Sequence, residues 1–212
     1  MNFPSHAWVA FTVGVDGPEE LLGCMLPDLT QLVGVHFGDE VPAAVDRGRR
    51  LHHLADAAFH DHPAFRAGVS LLRRDLRDAG LATGPRRAAA HVGYELLLDG
   101  AVPWDAAAAD AFDAALEAGH RLPTPSGDPL AGERWRHLVA RLRGANIPTR
   151  SSAVDELAER FEMILHRRPR LALARDDRPA VLAAMAAAEP IIRQAAPQLF
   201  DELVDHLRHT PA

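Results

Sequence analysis

The sequence predicts an all-α fold, a single-domain helical bundle over residues 1–212, on three observations. No segment sustains the alternation of apolar and polar residues that a half-buried strand needs. Only one Tyr is present and β-branched residues form few runs, so strand propensity is low throughout. Apolar residues instead recur three and four positions apart, punctuated by prolines, glycines and capping residues at the spacing of helix ends.

Pro18-Glu19-Glu20 opens the first expected helix, with proline early and two acids where they complement the positive end of the dipole. It runs through Leu21, Leu22, Met25 and Leu26 towards Leu32, with Pro27 expected to kink or break it. Val41 to His60 reads as the second helix, and Pro63 to Asp78 as the third, ending near Gly80. Pro85 to Leu98 forms the fourth, closed by Asp99-Gly100. Pro103 to Gly119 is Ala-rich and amphipathic, with Phe112 and Leu116 on one stripe. The stretch Leu122–Gly127 holds Pro, Thr, Ser and Gly and is the expected loop. Three helices follow: Pro129–Arg143, Ser151–His166 with an N-cap in its opening serines, and Pro179 to about Leu207. Pro190 and Pro197 are expected to break the last. No internal repeat and no domain boundary is visible.

Composition narrows the function classes. At 48% hydrophobic and 25% charged, the chain has the makings of a packed core and is not a disordered polymer. A single cysteine, Cys24, excludes an internal disulfide and any Cys-based zinc finger, so the reducing cytoplasm is the expected compartment. No uncharged run reaches the roughly 18 residues of a membrane span, and no basic residue precedes the uncharged opening Met1 to Val15 as a secretory signal requires. All 23 basic residues are Arg, which reflects a base-composition bias rather than a function. The first 46 residues hold seven acids and no base. Such a segment repels phosphate backbones, so a nucleic-acid partner is not expected; from charge alone it reads first as a solvated acidic face, and divalent cations would also suit it. Histidine is in excess, with 12 in the chain. Metal sites and acid–base chemistry are the functional consumers of imidazole.

The chemistry concentrates in Leu51-His52-His53-Leu54-Ala55-Asp56-Ala57-Ala58-Phe59-His60-Asp61-His62. His52, Asp56 and His60 stand four residues apart and drift only about 80° around a helix, so they share one face. Their neighbours Leu51, Leu54, Ala55, Ala58 and Phe59 are apolar, which predicts burial. An unpaired buried carboxylate is costly, and a metal ion is the partner that suits two imidazoles and an acid. His91 and Glu95 repeat the spacing amid Ala88, Ala89, Ala90, Val92, Leu96 and Leu97. Bundles build metal sites from such pairs on facing helices. The same spacing also arises as surface ion pairs.

Other candidates have plainer readings beside the functional one. His6 lies in an uncharged segment where a lone His is often satisfied core, Asp28 can cap a helical turn, and His36 can be a loop residue without a role. His53 points off the ligand face, and His62 precedes Pro63 as a helix start does. His120, His137, His206 and His209 read as exposed helix residues. Cys24, among Leu22, Met25 and Leu26, reads as a buried structural thiol. There is no nucleophile elbow, phosphate-binding Gly loop or dinucleotide fingerprint. A basic stretch from Arg160 to Arg178, centred on Arg167, Arg168 and Arg170, is either a helix C-terminus complementing the dipole or a docking surface for an anionic partner.

Several of these residues together resemble a family. Met1-Asn2-Phe3…His6, the Leu-rich segment ending in Asp28, His52-x3-Asp56 and Arg167-Arg168-Pro169-Arg170-Leu171 are similar, in order, to the acyl-carrier-protein phosphodiesterase family. That group comprises all-helical, HD-like, metal-dependent hydrolases. The resemblance implies removal of phosphopantetheine from an acyl carrier protein with a divalent metal such as manganese, and an acidic partner for the Arg160–Arg178 stretch. The chain departs from the pattern in three places. His53-Leu54 stands where the family has a basic residue, His60 with Asp61 beside it follows one turn on, and His91-x3-Glu95-Leu96 stands where the family has Asp-x3-Asp-His. The altered order, Asp28, His36, His52-x3-Asp56, His60 and His91-x3-Glu95 with His6 earlier, is similar to the zinc-dependent phospholipase C family. The N-terminal Trp of that family, whose amine binds metal, is not present here.

Both resemblances imply a metal-dependent phosphodiesterase acting through a metal-activated water. Two divalent ions, or three, of zinc, manganese or iron are expected on His6, Asp28, His36, His52, Asp56, His60, His91 and Glu95. Asp56 is the expected bridging ligand, and Asp61 or His53 the expected proton donor to the leaving group. The alternative class is a non-catalytic metal-binding or interaction protein that holds an acidic partner through Arg160–Arg178. A ferritin-type redox bundle is disfavoured, because that design uses Glu-x-x-His and several Glu ligands.

Overall fold

The periodic apolar positions and the end signals produce helices almost throughout. The computed structural model describes residues 1–38, 40–123, 125, 128–147, 173 and 175–210. Among these residues there are eight α-helices and no strand: α1 (Phe3–Thr12), α2 (Pro18–Val33), α3 (Ala43–Asp61), α4 (Pro63–Asp78), α5 (Thr83–Asp99), α6 (Ala106–Gly119), α7 (Ala131–Gly144) and α8 (Arg178–His209). The protein is all-α. None of the described helices is long and apolar enough to cross a membrane. The expected helix Ser151–His166 and the arginines Arg167, Arg168 and Arg170 lie outside the described residues.

Local chemistry explains several boundaries. The α4 helix begins at Pro63 because His62 caps it, its Nδ1 accepting from the Ala64 N–H at 3.2 Å. The α6 helix begins at Ala106, three residues later than Pro103, because the Asp105 carboxylate accepts from the Ala108 N–H at 2.8 Å. The α2 helix ends at Gly34, whose left-handed backbone (φ 63°) suits glycine, with the Gly34 N–H on the Thr30 carbonyl.

Three expected breaks do not occur. The α2 helix continues through Pro27, and α8 continues through Pro190 and Pro197. An interior proline forfeits one hydrogen bond and costs about 3 kcal/mol. In α2 that cost is outweighed by an apolar stripe on both sides of the proline: Leu21, Leu22, Met25, Leu26 and Leu29 are all buried. Val181, Met185, Ala188, Ile192, Ala196 and Phe200 do the same along α8. One helix was not expected. The uncharged stretch after Met1 forms α1, with Pro4 in its first turn.

The packing resolves into two compact units. One comprises Asn2–Ala58, Pro103–Arg150 and Glu202–Ala212; the other comprises Met1, Phe59–Val102 and Ser151–Asp201. In the first, α2 lies against α1, α6 and α7 around a core that includes Phe3, Leu22, Met25, Leu26, Phe112, Leu116 and Trp135. Here α2 and α3 meet backbone to backbone. A Cβ on Gly23 would stand 2.2 Å from the Val45 carbonyl oxygen, and one on Gly48 would stand 2.0 Å from that of Glu20. Only glycine permits this approach, which seats His52 of α3 beside the Cys24 carbonyl of α2.

In the second unit α4 packs on α5. Phe59, Phe65 and Tyr94 form its aromatic centre, with centroid separations of 4.5 to 6.3 Å. Gly68 leaves the room on α4 that the Tyr94 ring fills.

Candidate metal centres

The His-rich face of α3 supplies residues to two clusters, one in each unit. In the first unit His6, Asp28 and His52 offer ligand atoms that all lie within 4.8 Å of one another. His6 is 2% exposed and His52 6%. Asp28 lies inside α2, not at a helix start, and its Oδ2 accepts from His6 Nδ1 at 2.9 Å. With that nitrogen protonated, His6 Nε2 is the lone-pair nitrogen. It stands 3.8 Å from Oδ1 of half-buried Asp56, beyond hydrogen-bond distance.

His52 is prepared in the same way. Its Nδ1 bonds the Cys24 carbonyl at 2.9 Å, and a carbonyl only accepts, so Nδ1 carries the proton. Burial pushes the His52 pKa down to about 4, with the adjacent His6 acting in the same direction. The Asp28 and Asp56 carboxylates and the Cys24 carbonyl oppose that shift without reversing it. His52 is therefore neutral at pH 7 with a free pair on Nε2, the state a metal ligand needs. Carboxylate and carbonyl partners on the outer ring nitrogens are the usual support for metal-binding imidazoles.

The second unit holds a tighter cluster. His60 Nε2 and His91 Nε2 are 3.3 Å apart, and they stand 3.6 and 3.3 Å from Oε1 of Glu95. These three atoms form a near-equilateral triangle. A tetrahedral ion with bonds of about 2.1 Å separates its ligands by about 3.4 Å, so the triangle matches one face of such a polyhedron. The imidazoles stack at 5.1 Å and 15°, held edge-on by Phe65. The Met1 ammonium, fully buried, donates to the same Glu95 oxygen at 3.1 Å. Burial alone would raise the Glu95 pKa. The ammonium and the hydrogen bonds from His60 and His91 outweigh it and hold the carboxyl well below its ordinary range.

Several expected site residues stand outside these clusters. His36 is an exposed residue beyond α2, and neither cluster includes it. Asp61 is exposed and paired with Arg66. His53 is exposed, its ring centroid 5.3 Å from that of His52. Sequence reasoning missed the Met1 ammonium and the Cys24 carbonyl. A backbone carbonyl leaves no signature in a sequence.

No family model, curated protein or solved structure matches the chain. What defines the protein is its class, an all-α chain with two His-carboxylate clusters whose ligand atoms could hold a metal ion.

Proposed function

We propose that the chain is a metal-dependent phosphodiesterase. The observation that carries this reading is the triangle of His60 Nε2, His91 Nε2 and Glu95 Oε1, with sides of 3.3, 3.3 and 3.6 Å. Ligands on one tetrahedral cation stand at that spacing. His60, His91 and Glu95 would hold one ion, and His6, His52 and Asp56, with Asp28 beside His6, would hold another. A divalent ion at either place would supply Lewis acidity and a water acidified towards about pH 7.

The chain's own groups do the rest. The Cys24 carbonyl and the Asp28 carboxylate fix which nitrogen of His52 and of His6 is available, so the ligands are oriented before the ion arrives. Burial of both imidazoles keeps bulk water from competing for them. His53, exposed beside His52, would give a proton to a departing alkoxide. No serine or cysteine nucleophile is required, in accord with a Cys24 thiol pushed up to about 12 by burial and by the Glu20 carboxylate. The resemblance to acyl-carrier-protein phosphodiesterases makes an acyl carrier protein the first macromolecular substrate to assay.

The test is elemental analysis together with turnover. Purified protein should carry at least one zinc, manganese or iron per chain, and His91→Ala should lower that number. Hydrolysis of bis(p-nitrophenyl) phosphate should stop on chelation and return with added manganese or zinc. Absence of turnover with every divalent metal, or a metal content unchanged in the variant, would overturn the proposal.

A further inference from the structure

We infer that a cavity between α2 and α3 is a subsite for a second phosphate of the substrate, a phosphomonoester carried by the same molecule as the scissile diester. The inference rests on the phosphodiesterase reading. The cavity measures about 360 Å³ and is lined by Leu26, Pro27 and Thr30 of α2 and Asp46, Arg49, Arg50 and His53 of α3. The α3 residues follow at steps of three, one and three, so they form one continuous face of that helix.

The donors outnumber what the cavity uses internally. Arg50 pairs with Asp46, one turn back on the same helix. Arg49 gives one nitrogen to the Phe37 carbonyl at 3.0 Å. Each guanidinium has five N–H donors in a planar fork, so both retain donors after these bonds. His53 adds a ring N–H. Two guanidiniums against one carboxylate leave the lining positive, which selects an anion. The Thr30 hydroxyl, by contrast, is committed to the Pro27 carbonyl at 2.9 Å.

Size and position narrow the ligand further. The volume far exceeds a bare phosphate and lies at the lower end of sites for small organic molecules. Pro27 supplies an apolar wall for the organic part. The cavity's lining adjoins the first cluster along both helices, since Pro27 precedes Asp28 and His53 follows His52, with 5.3 Å between the two ring centroids. A molecule anchored there by one phosphate would present a neighbouring diester to His6, His52 and Asp56.

The test begins with metal-stripped full-length protein and phenyl phosphate as the probe. The His53 ring resonances, followed by NMR, should shift and saturate. Arg50→Gln, at an exposed position ion-paired with the surface carboxylate of Asp46, should weaken binding about tenfold, the scale of one charge-assisted bond. No shift at His53, or an unchanged affinity in the variant, would overturn the subsite. Manganese-loaded protein is then given two dinucleotides, TpT and its 5′-phosphorylated form pTpT. Preference for pTpT by about tenfold in kcat/KM supports the inference, by the same reckoning. Equal hydrolysis of both would overturn the subsite alone, whereas phosphate binding with hydrolysis of neither would overturn the hydrolytic reading and, with it, the assignment of the bound phosphate to a diester substrate.

Discussion

His52 donates its Nδ1 proton to the Cys24 carbonyl, 2.9 Å away and 28 residues earlier in the chain. The bond fixes the tautomer, and burial holds the ring pKa at about 4. An unfolded histidine titrates near 6.5. The sign follows: the unfolded chain takes up the proton first, so stability is complete above about pH 6.5 and falls as the pH drops towards 4. The difference is worth roughly 3 kcal/mol. Chelator-treated wild type should therefore lose about that much more stability than His52→Gln between pH 7 and pH 4, measured by urea unfolding. Parallel losses would show that His52 is not buried in its neutral form.

How much of this was legible in the sequence depends on the kind of interaction. The His52, Asp56 and His60 face and the His91–Glu95 pair follow from helical spacing, which is local. Helix starts set by proline and capping side chains, such as Pro63 after His62, were legible for the same reason. The continuation of α2 and α8 through Pro27, Pro190 and Pro197 was not, because tertiary burial outweighs a local penalty there. The pairing of His6 with Asp28 joins residues on two helices, and no periodicity announces it. His36 shows the reverse case. A suitable residue type in a plausible order stands exposed, because order along the chain does not specify convergence in space.

Glu95→Gln tests the second cluster. The substitution keeps the shape and removes the charge, leaving the buried Met1 ammonium 3.1 Å from a neutral amide. Breaking one side of a buried pair costs about 3 kcal/mol or more. The Glu95 pKa is depressed, so its contribution is present above the ordinary carboxyl range and is lost as the pH falls through the folded value. The variant should be less stable than wild type at pH 7, and the gap should narrow on acidification. A constant gap from pH 7 to pH 2 would contradict the charge assignment.

Gly23→Ala and Gly48→Ala test the helix crossing. Their new methyl carbons would meet backbone oxygens at 2.2 and 2.0 Å, and backbone cannot swing aside as a flexible side chain can. Overpacking of this kind costs about 1–3 kcal/mol, and these contacts belong at or above the upper end. Because the crossing seats His52 against Cys24, metal content should fall along with the melting temperature. Gly144→Ala is the control, with nothing within 4 Å of its added carbon. That variant should melt within a few degrees of wild type.

Cys24 lies at the same crossing, and its chemistry reports whether the crossing stays closed. Its thiol is 1% exposed, and its pKa is pushed up to about 12, first by burial and then by the Glu20 carboxylate. Alkylation proceeds through the thiolate, whose fraction at pH 8 is then roughly a thousandfold below that of an unfolded cysteine. Native protein should resist iodoacetamide at pH 8 for hours while denatured protein reacts within minutes. In Gly48→Ala the parted helices admit reagent and water, so the native-state rate should rise towards the denatured one. Equal slow rates in wild type and variant would mean that α2 and α3 do not depend on backbone contact at Gly23 and Gly48.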